Sequence, residues 1–193
     1  MKIPQLTLAF FLFFGGYALA ESTTGSTSDL AQSLKNYQQA TIDQNVDQVM
    51  TFTYPGMFKI LPKEQMRKGL VEMYGKGTAP KIRQMVFATP DSPRAYSKGQ
   101  FVVIKYHVKM EVPRPGDATP DIDRHIIKIM KRQLGEAVEV IIDEKNSLIK
   151  VSRDTEMIVL NEDNQGWKMI EKDNLGWLIR NGVLPEDLAK VLQ

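Results

Sequence analysis

Hydrophobic residues first recur at helical spacing near the start of the chain. Leu30, Leu34 and Tyr37 follow a period of about 3.6 residues and predict an amphipathic helix over residues 29–43. Ser28 precedes this stretch and is a residue type that caps helix N-termini, since its hydroxyl accepts a hydrogen bond from a first-turn amide. The folded part of the chain is therefore predicted to begin with a helix that buries its apolar face.

Two further helices are predicted before any strand. The second follows Asp43 or Asn45 and ends near Tyr54, because a Pro-Gly pair comes next and cannot continue a helix. The third begins at Pro62 and is closed by Gly75, as expected from the preference for proline at helix starts and glycine at helix ends.

The hydrophobic period then changes from 3.6 to 2, which is typical of strands. Residues 81–89 predict one strand, and residues 100–112 predict a longer one with strict alternation. The apolar face of that long strand carries Val102, Ile104, Tyr106, Val108, Met110 and Val112. Its other face carries Lys105, His107, Lys109 and Glu111, so one face is predicted to be packed and the other to be wet.

Residues 121–134 form the most ambiguous segment. Thr119 can cap a helix, Pro120 fits the first helical position and Gly135 fits the C-terminal end, while isoleucines recur at helical spacing. These signals favour a helix. The β-branched isoleucines leave a strand as the alternative.

The remainder of the chain predicts a meander of antiparallel strands followed by one helix. The strands are expected at about 137–143, 147–153, 155–161 and 166–172. The last helix follows the segment Leu184-Pro185-Glu186-Asp187. This order predicts an α+β fold, with N-terminal helices covering one face of a curved antiparallel sheet of about six strands.

The first 20 residues have the pattern of a cleavable signal peptide. Lys2 is followed by an apolar run from Leu6 to Gly16 and then by Ala18-Leu19-Ala20, with small residues before the expected cleavage point. The run is shorter than the roughly 20 residues that span a bilayer. We expect cleavage after Ala20, a periplasmic or extracellular location, a flexible tether over 21–28 and a single domain over 29–193.

Composition excludes several classes of function. The chain has 193 residues and a formal charge of +2, which falls to +1 without Lys2, so nothing indicates a nucleic-acid surface. It contains no cysteine, which excludes disulfides, thiolate nucleophiles, cysteine metal sites and a lipoprotein-type anchor. We expect neither a nucleic-acid partner nor a membrane anchor after cleavage.

The order of elements resembles the nuclear-transport-factor-2-like superfamily, a cone-shaped, cystatin-like α+β fold. Three segments carry the resemblance: the first helix through Tyr37 into the break Tyr54-Pro55-Gly56-Met57-Phe58, the helix from Glu64 to Tyr74, and the closing strand Gly166–Glu171. It is also similar to secreted members of this superfamily. The resemblance implies a pocket between sheet and helices, in a superfamily that includes enzymes, small-ligand binders and protein-binding modules.

No catalytic or metal-binding residue is assigned from the sequence. In the enzymatic relatives a pocket carboxylate acts as a base, but none alternates with the apolar face of strand 100–112. Two histidines make at most half a zinc site, so His107 is interpreted as part of a solvated strand face and His125 as an ordinary residue at the boundary of a helical stripe. No G-x-S-x-G segment is present, so no Ser–His–Asp arrangement is predicted either. No cofactor is expected.

A ligand pocket is predicted instead from aromatic residues with hydroxyl or indole groups. The candidate lining residues are Tyr37, Tyr54, Phe58, Tyr106 and Trp167. The alternative is that these side chains simply pack in the core.

Three functions remain open. The first is a secreted, non-enzymatic module that binds a small apolar molecule or a partner protein. The second is an isomerase- or cyclase-like enzyme, which requires a buried carboxylate with a raised pKa within hydrogen-bond reach of a Tyr or His. The third is a homodimer held by the sheet, which requires a large apolar patch on the outer face.

Overall fold

The structure, a computed structural model, describes residues 27–77 and 79–192. The predicted signal peptide (1–20) and nearly all of the predicted tether (21–28) lie outside these residues. The first helix already begins at Thr27, so Ser28 lies inside the helix and is not its N-cap. Within the two described ranges, no helix is both long enough and apolar enough to cross a membrane.

The described residues contain six α-helices. They are α1 (Thr27–Ile42), α2 (Val46–Thr51), α3 (Lys63–Gly75), α4 (Pro120–Leu134), α5 (Leu175–Arg180) and α6 (Glu186–Leu192). Three short 3₁₀ helices occur at Pro55–Lys59, Glu144–Asn146 and Lys172–Asn174. The predicted helices are confirmed, whereas α5 was not predicted.

The strands form one antiparallel sheet that does not close. They are β1 (Lys81–Phe87), β2 (Arg94–Tyr96), β3 (Gly99–Pro113), β4 (Glu139–Asp143), β5 (Leu148–Glu162) and β6 (Lys168–Glu171). The strand order is β1-β3-β5-β4, with β2 paired to β3 and β6 paired to β5. The predicted α+β class and the six-stranded sheet are therefore confirmed.

Two strand predictions were wrong. The strands expected at 147–153 and 155–161 are one continuous strand, β5, and β2 was not predicted at all. The polar side chains around residue 154, where the two predicted strands meet, have partners on neighbouring elements. Asp154 contacts His107 on β3, and Glu156 pairs with Lys172. Because these partners are non-local, the sequence around residue 154 alone does not reveal the continuous strand.

The sheet has an inner and an outer face that are covered by different helices. We call inner the face that carries Ile104, Tyr106 and Val108; it packs in one core cluster with Leu30 and Leu34 of α1. Helix α1 contacts β1, and α4 contacts β4. The inner face is thus the predicted packed face.

The outer face is also covered, but only at one end. Phe101 and Ile158 alternate with inner-face residues and therefore point outward, where they pack with Leu178 of α5 and Leu188 of α6. The prediction that helices cover one face only was wrong, because the C-terminal helices shield this apolar end of the outer face.

Helix α4 confirms the helical interpretation of residues 121–134. The Thr119 side chain accepts a hydrogen bond from the Ile122 amide, and Pro120 occupies the first turn. Arg114 forms a two-pronged ion pair with Asp123, at 2.9 and 2.7 Å, which ties the preceding loop to the helix. This guanidinium lowers the pKa of the Asp123 carboxyl.

Gly99 is the position where the fold most clearly requires glycine. Its φ is +152°, and a Cβ atom there would lie 2.1 Å from the backbone carbonyl oxygen of Asn161 on β5. Since backbone cannot move aside as a flexible side chain can, we expect Gly99→Ala to destabilise the protein by about 1–3 kcal/mol. Urea unfolding curves of the variant and the parent measure this loss.

Gly116→Ala provides the matched control, because a Cβ at Gly116 meets no atom within 4 Å. It should change the free energy of unfolding by no more than about 0.5 kcal/mol. An equal effect of both substitutions would contradict the close β3–β5 contact at Gly99.

Candidate functional site

A hydrogen-bonded tyrosine and carboxyl lie on the inner face of the sheet. Tyr106 is on β3, opposite Thr155 of β5, and Glu171 is on β6, opposite Met157 of β5. The hydroxyl of Tyr106 donates to Oε1 of Glu171 at 2.5 Å. The two residues are 65 positions apart in sequence, so strand pairing alone brings them together.

The Glu171 carboxyl is enclosed by protein, although the residue as a whole is half-buried. Its second oxygen, Oε2, is inaccessible to solvent and has no hydrogen-bond partner. Burial raises the pKa of Glu171 to about 7, against the opposing effects of the Tyr106 hydrogen bond and of the Arg153 charge. The carboxyl can therefore gain or lose a proton near neutral pH.

Tyr106 and Tyr37 provide neutral hydroxyl groups beside this carboxyl. Burial, followed by the nearby Glu171 charge, raises the pKa of each phenol well above its ordinary value. Tyr106 is 4 % exposed and Tyr37 is fully buried. The Tyr106 ring lies 5.4 Å from that of Phe87, and the Tyr37 ring lies 5.9 Å from that of Phe52. Both phenols thus remain protonated donors in an aromatic environment.

The positive charge of Arg153 acts on the Glu171 carboxyl, and the Arg153 side chain pairs with a second acid. The Arg153 side chain is 9 % exposed and pairs with Asp173 at 2.6 Å, whereas Asp173 is 45 % exposed. The Nη1 group also lies 3.5 Å from the Leu134 carbonyl at the C-terminal end of α4. The Nε atom is buried and has no hydrogen-bond partner. We call Tyr37, Tyr106, Arg153, Glu171 and Asp173 the inner cluster.

The inner cluster combines two kinds of chemistry. The enclosed carboxyl accepts one hydrogen bond and retains an oxygen that can accept another, or exchange a proton. The tyrosine hydroxyls donate, and the Arg153–Asp173 pair already compensates the arginine charge. The inner cluster therefore offers an acceptor or proton carrier at Glu171 together with hydroxyl donors.

The aromatic residues predicted to line a pocket do not all meet. Tyr37, Tyr106 and Trp167 belong to the inner-face core, and the Trp167 indole nitrogen is buried without a hydrogen-bond partner. Tyr54 lies in the core under the C-terminal helices, and Phe58 packs against a third cluster beside α3. The structure therefore brings three of the five candidates to one side of the sheet.

Tyr54 has a different partner. Its hydroxyl and that of Tyr96 both donate to Oε1 of Glu162 at 2.9 Å, and burial and this carboxylate raise the pKa of Tyr54. Tyr96 lies on β2 and Glu162 at the end of β5, so this contact joins β2, β5 and the segment before the first 3₁₀ helix.

Glu171 and Arg153 were missed by the sequence reasoning. Glu171 alternates with Met169 and Trp167 in the predicted closing strand, and this alternation places it on the same face as those core residues. This alternation is the sequence signal that could have identified Glu171 as a residue of the packed face. Arg153 lies at the end of the predicted strand 147–153, and its partner Asp173 comes 20 positions later in the chain.

The remaining sequence candidates lie on surfaces. His107 is on the outer face, with 36 % of its side chain exposed, and His125 is exposed on α4. Among the residues that the structure describes, no three histidine, aspartate or glutamate side chains converge as a metal site. The uncovered part of the outer face carries charged residues such as Lys105 and Lys109, so it gives no argument for an apolar sheet dimer.

A scan against protein-family models and a search of curated proteins both gave no match for this chain.

The raised pKa of Glu171 predicts a specific pH dependence of stability. Between the unfolded pKa of 4.5 and the folded pKa of about 7, the folded state holds a proton that the unfolded state has released. The Glu171 carboxyl therefore contributes its full stabilisation below pH 4.5, and the free energy of unfolding falls by roughly 3 kcal/mol as the pH rises to 7. Glu171→Gln should remove this loss, so its advantage over the parent grows from pH 4.5 to pH 7.

Urea unfolding at pH 5 and pH 8 measures that difference. Glu136→Gln, in an exposed loop, is the control and should follow the parent at both values. If the Glu171→Gln difference is the same at both pH values, the carboxyl titrates as an ordinary glutamate and the inner cluster is misassigned.

Proposed function

We propose that this chain is an extracytoplasmic cone-fold protein that binds a small ligand between the inner face of its sheet and the overlying helices. The ligand is largely apolar and carries one hydroxyl or similar donor for Glu171. Tyr106 and Tyr37 complete the contacts. The resemblance to nuclear-transport-factor-2-like proteins and the predicted signal peptide support the fold family and the location.

One observation carries this proposal. Glu171 Oε2 is enclosed by protein and has no hydrogen-bond partner, although buried polar atoms in folded proteins nearly always have one. Leaving such an acceptor unpaired costs about 1–3 kcal/mol. A ligand hydroxyl that donates to Oε2 would recover this free energy, and so the site favours a donor over a purely apolar molecule.

Access to the site requires movement. Tyr37 and Tyr106 are almost completely buried, whereas Asp173 at the end of the cluster is half exposed. The 3₁₀ helix Lys172–Asn174 is short and carries this aspartate. We infer that a ligand reaches Glu171 by opening the Arg153–Asp173 pair.

A second candidate function uses the same residues for acid–base catalysis. A carboxyl with a pKa of about 7 next to a tyrosine donor is the arrangement that the isomerase- or cyclase-like alternative requires. Glu171 would take a proton from the carbon beside a carbonyl, and Tyr106 would donate to the resulting enolate oxygen.

Binding is tested with p-cresol as the probe and toluene, which lacks the hydroxyl, as the matched ligand. We expect p-cresol to shift the NMR signals of β6 and of Trp167 and to bind more tightly than toluene. Glu171→Gln replaces the carboxylate acceptor and should weaken p-cresol binding roughly ten-fold or more, since hydrogen bonds to charged groups contribute about 1.5–3 kcal/mol.

Glu162→Gln is the control variant, because Glu162 also accepts from tyrosine hydroxyls but lies outside the inner cluster. It should bind p-cresol as the parent does. Equal affinities for p-cresol and toluene, or equal losses in the two variants, would refute a ligand site at Glu171.

Catalysis is tested by exchange of the α-protons of cyclopentanone in heavy water, followed by proton NMR. If the second candidate is right, the parent accelerates exchange, and Glu171→Gln lowers the rate by about 10²–10⁴ while Glu162→Gln leaves it unchanged. If exchange is no faster than in buffer and p-cresol binds normally, the catalytic candidate is refuted and the binding function stands.

A further inference from the structure

A serine, a histidine and an aspartate form a hydrogen-bonded chain on the outer face of the sheet. The Oγ atom of Ser152 lies 3.2 Å from Nε2 of His107, and Nδ1 of His107 lies 2.8 Å from Oδ1 of Asp154. The β3–β5 register fixes this geometry, because His107 is directly opposite Asp154, and Ser152 is two residues before Asp154 on the same face. The inner cluster lies on the opposite face.

The hydrogen bonds determine where the protons lie. The carboxylate of Asp154 can only accept, so Nδ1 of His107 carries the hydrogen. In the neutral ring, Nε2 then has a lone pair and accepts from the hydroxyl of Ser152. This is the tautomer and the direction of donation that a serine nucleophile with a histidine base requires.

The serine is next to a shallow groove of about 270 Å³ on the outer face. The groove is lined by Arg83, Lys109, Glu111, Ile141, Lys150 and Ser152, among others. Arg83 pairs with Glu111, and Lys150 pairs with Asp143. Among the described residues Lys109 has no ion-pair partner, and it lies directly opposite Ser152 across the β3–β5 pair.

We propose that Ser152 and His107 form an acyl-transfer site for small carboxylic esters, with Asp154 as the positioning residue. Ser152 Oγ attacks the acyl carbon while His107 Nε2 takes the hydroxyl proton. The ester C–O bond then breaks, and the alcohol leaves with that proton. Water, activated by His107, hydrolyses the acyl-serine to a carboxylic acid and restores the hydroxyl. The Lys109 ammonium group stabilises the negative oxygen that develops on the carbonyl.

The geometry favours this role over a plain ladder of surface charges. A His107–Asp154 pair alone would account for a cross-strand contact between a base and an acid. Such a ladder of charges does not need the additional hydrogen bond between Ser152 and Nε2 of His107. The site is also open, since 91 % of the Asp154 side chain and 36 % of the His107 side chain are exposed. A small ester can therefore approach without movement of the fold.

The test is covalent labelling of the full chain with diisopropyl fluorophosphate. The Ser152 oxygen attacks phosphorus and fluoride leaves, so a stable adduct forms on the nucleophile. We expect peptide mass spectrometry to find the adduct on Ser152, and we expect slow hydrolysis of p-nitrophenyl acetate that the label abolishes.

Paired variants separate this site from background reactivity. Ser152→Ala should lose the label, whereas Ser92→Ala in an exposed loop should keep it. His107→Gln should slow labelling roughly ten-fold or more, whereas His125→Gln should not. Asp154→Asn allows the wrong histidine tautomer and should slow labelling as well, and Asp154→Glu should restore part of the rate.

Failure of this site is distinguishable from failure of the inner cluster, because p-cresol binding is measured independently and on the other face. The proposal is overturned if the parent takes up no label, if the label lies on another serine, or if His107→Gln and His125→Gln are labelled equally fast. If the surface variants have the same circular dichroism spectrum as the parent, a loss of labelling is attributable to the site and not to unfolding.

Discussion

The pairing of β3 with β5 is the constraint on which the rest of the structure depends. The two strands face each other from Gly99 opposite Glu162 to Pro113 opposite Leu148, and every other strand pairs with one of them. Because side chains alternate between faces, a slip of one residue would turn the inner side chains outward. The same register places Tyr106 beneath the helices and His107 on the outer face, so both candidate sites depend on it.

The sequence predicted the elements whose signals are local. Helix α4 has its cap, its first-turn proline and its apolar period within the segment itself, and the alternation of β3 extends over its whole length. Strand β5 was predicted as two strands, 147–153 and 155–161, and the polar residues Arg153, Asp154 and Glu156 lie at this division. Their partners lie on β3, on the end of α4 and beyond β6, and a local reading of one sequence cannot identify such distant neighbours.

The candidate sites show the same division between local and non-local information. Alternation placed Tyr106 on the packed face correctly, but the carboxyl that it contacts comes from a strand 65 positions later. For Ser152, His107 and Asp154 there was no sequence motif to find, since they are ordered by cross-strand register and not by a loop. Tyr54 and Phe58 have residue types that suit a pocket, but they pack in other clusters than Tyr106 does.

The two faces also give similar groups different properties. Glu171 is surrounded by core, so its charged form loses hydration and its pKa rises toward neutrality. Asp154 is almost fully exposed, so solvent screens it and it can hold a histidine only through direct contact. Burial therefore gives the inner cluster a carboxyl that titrates near neutral pH, but a ligand reaches it only if the fold moves. The hydrogen-bonded set of Ser152, His107 and Asp154 is open to solvent, and its reactivity depends on the geometry of its hydrogen bonds. A protein built on one long strand pair can carry both arrangements, because the sheet between them keeps their electrostatic environments separate.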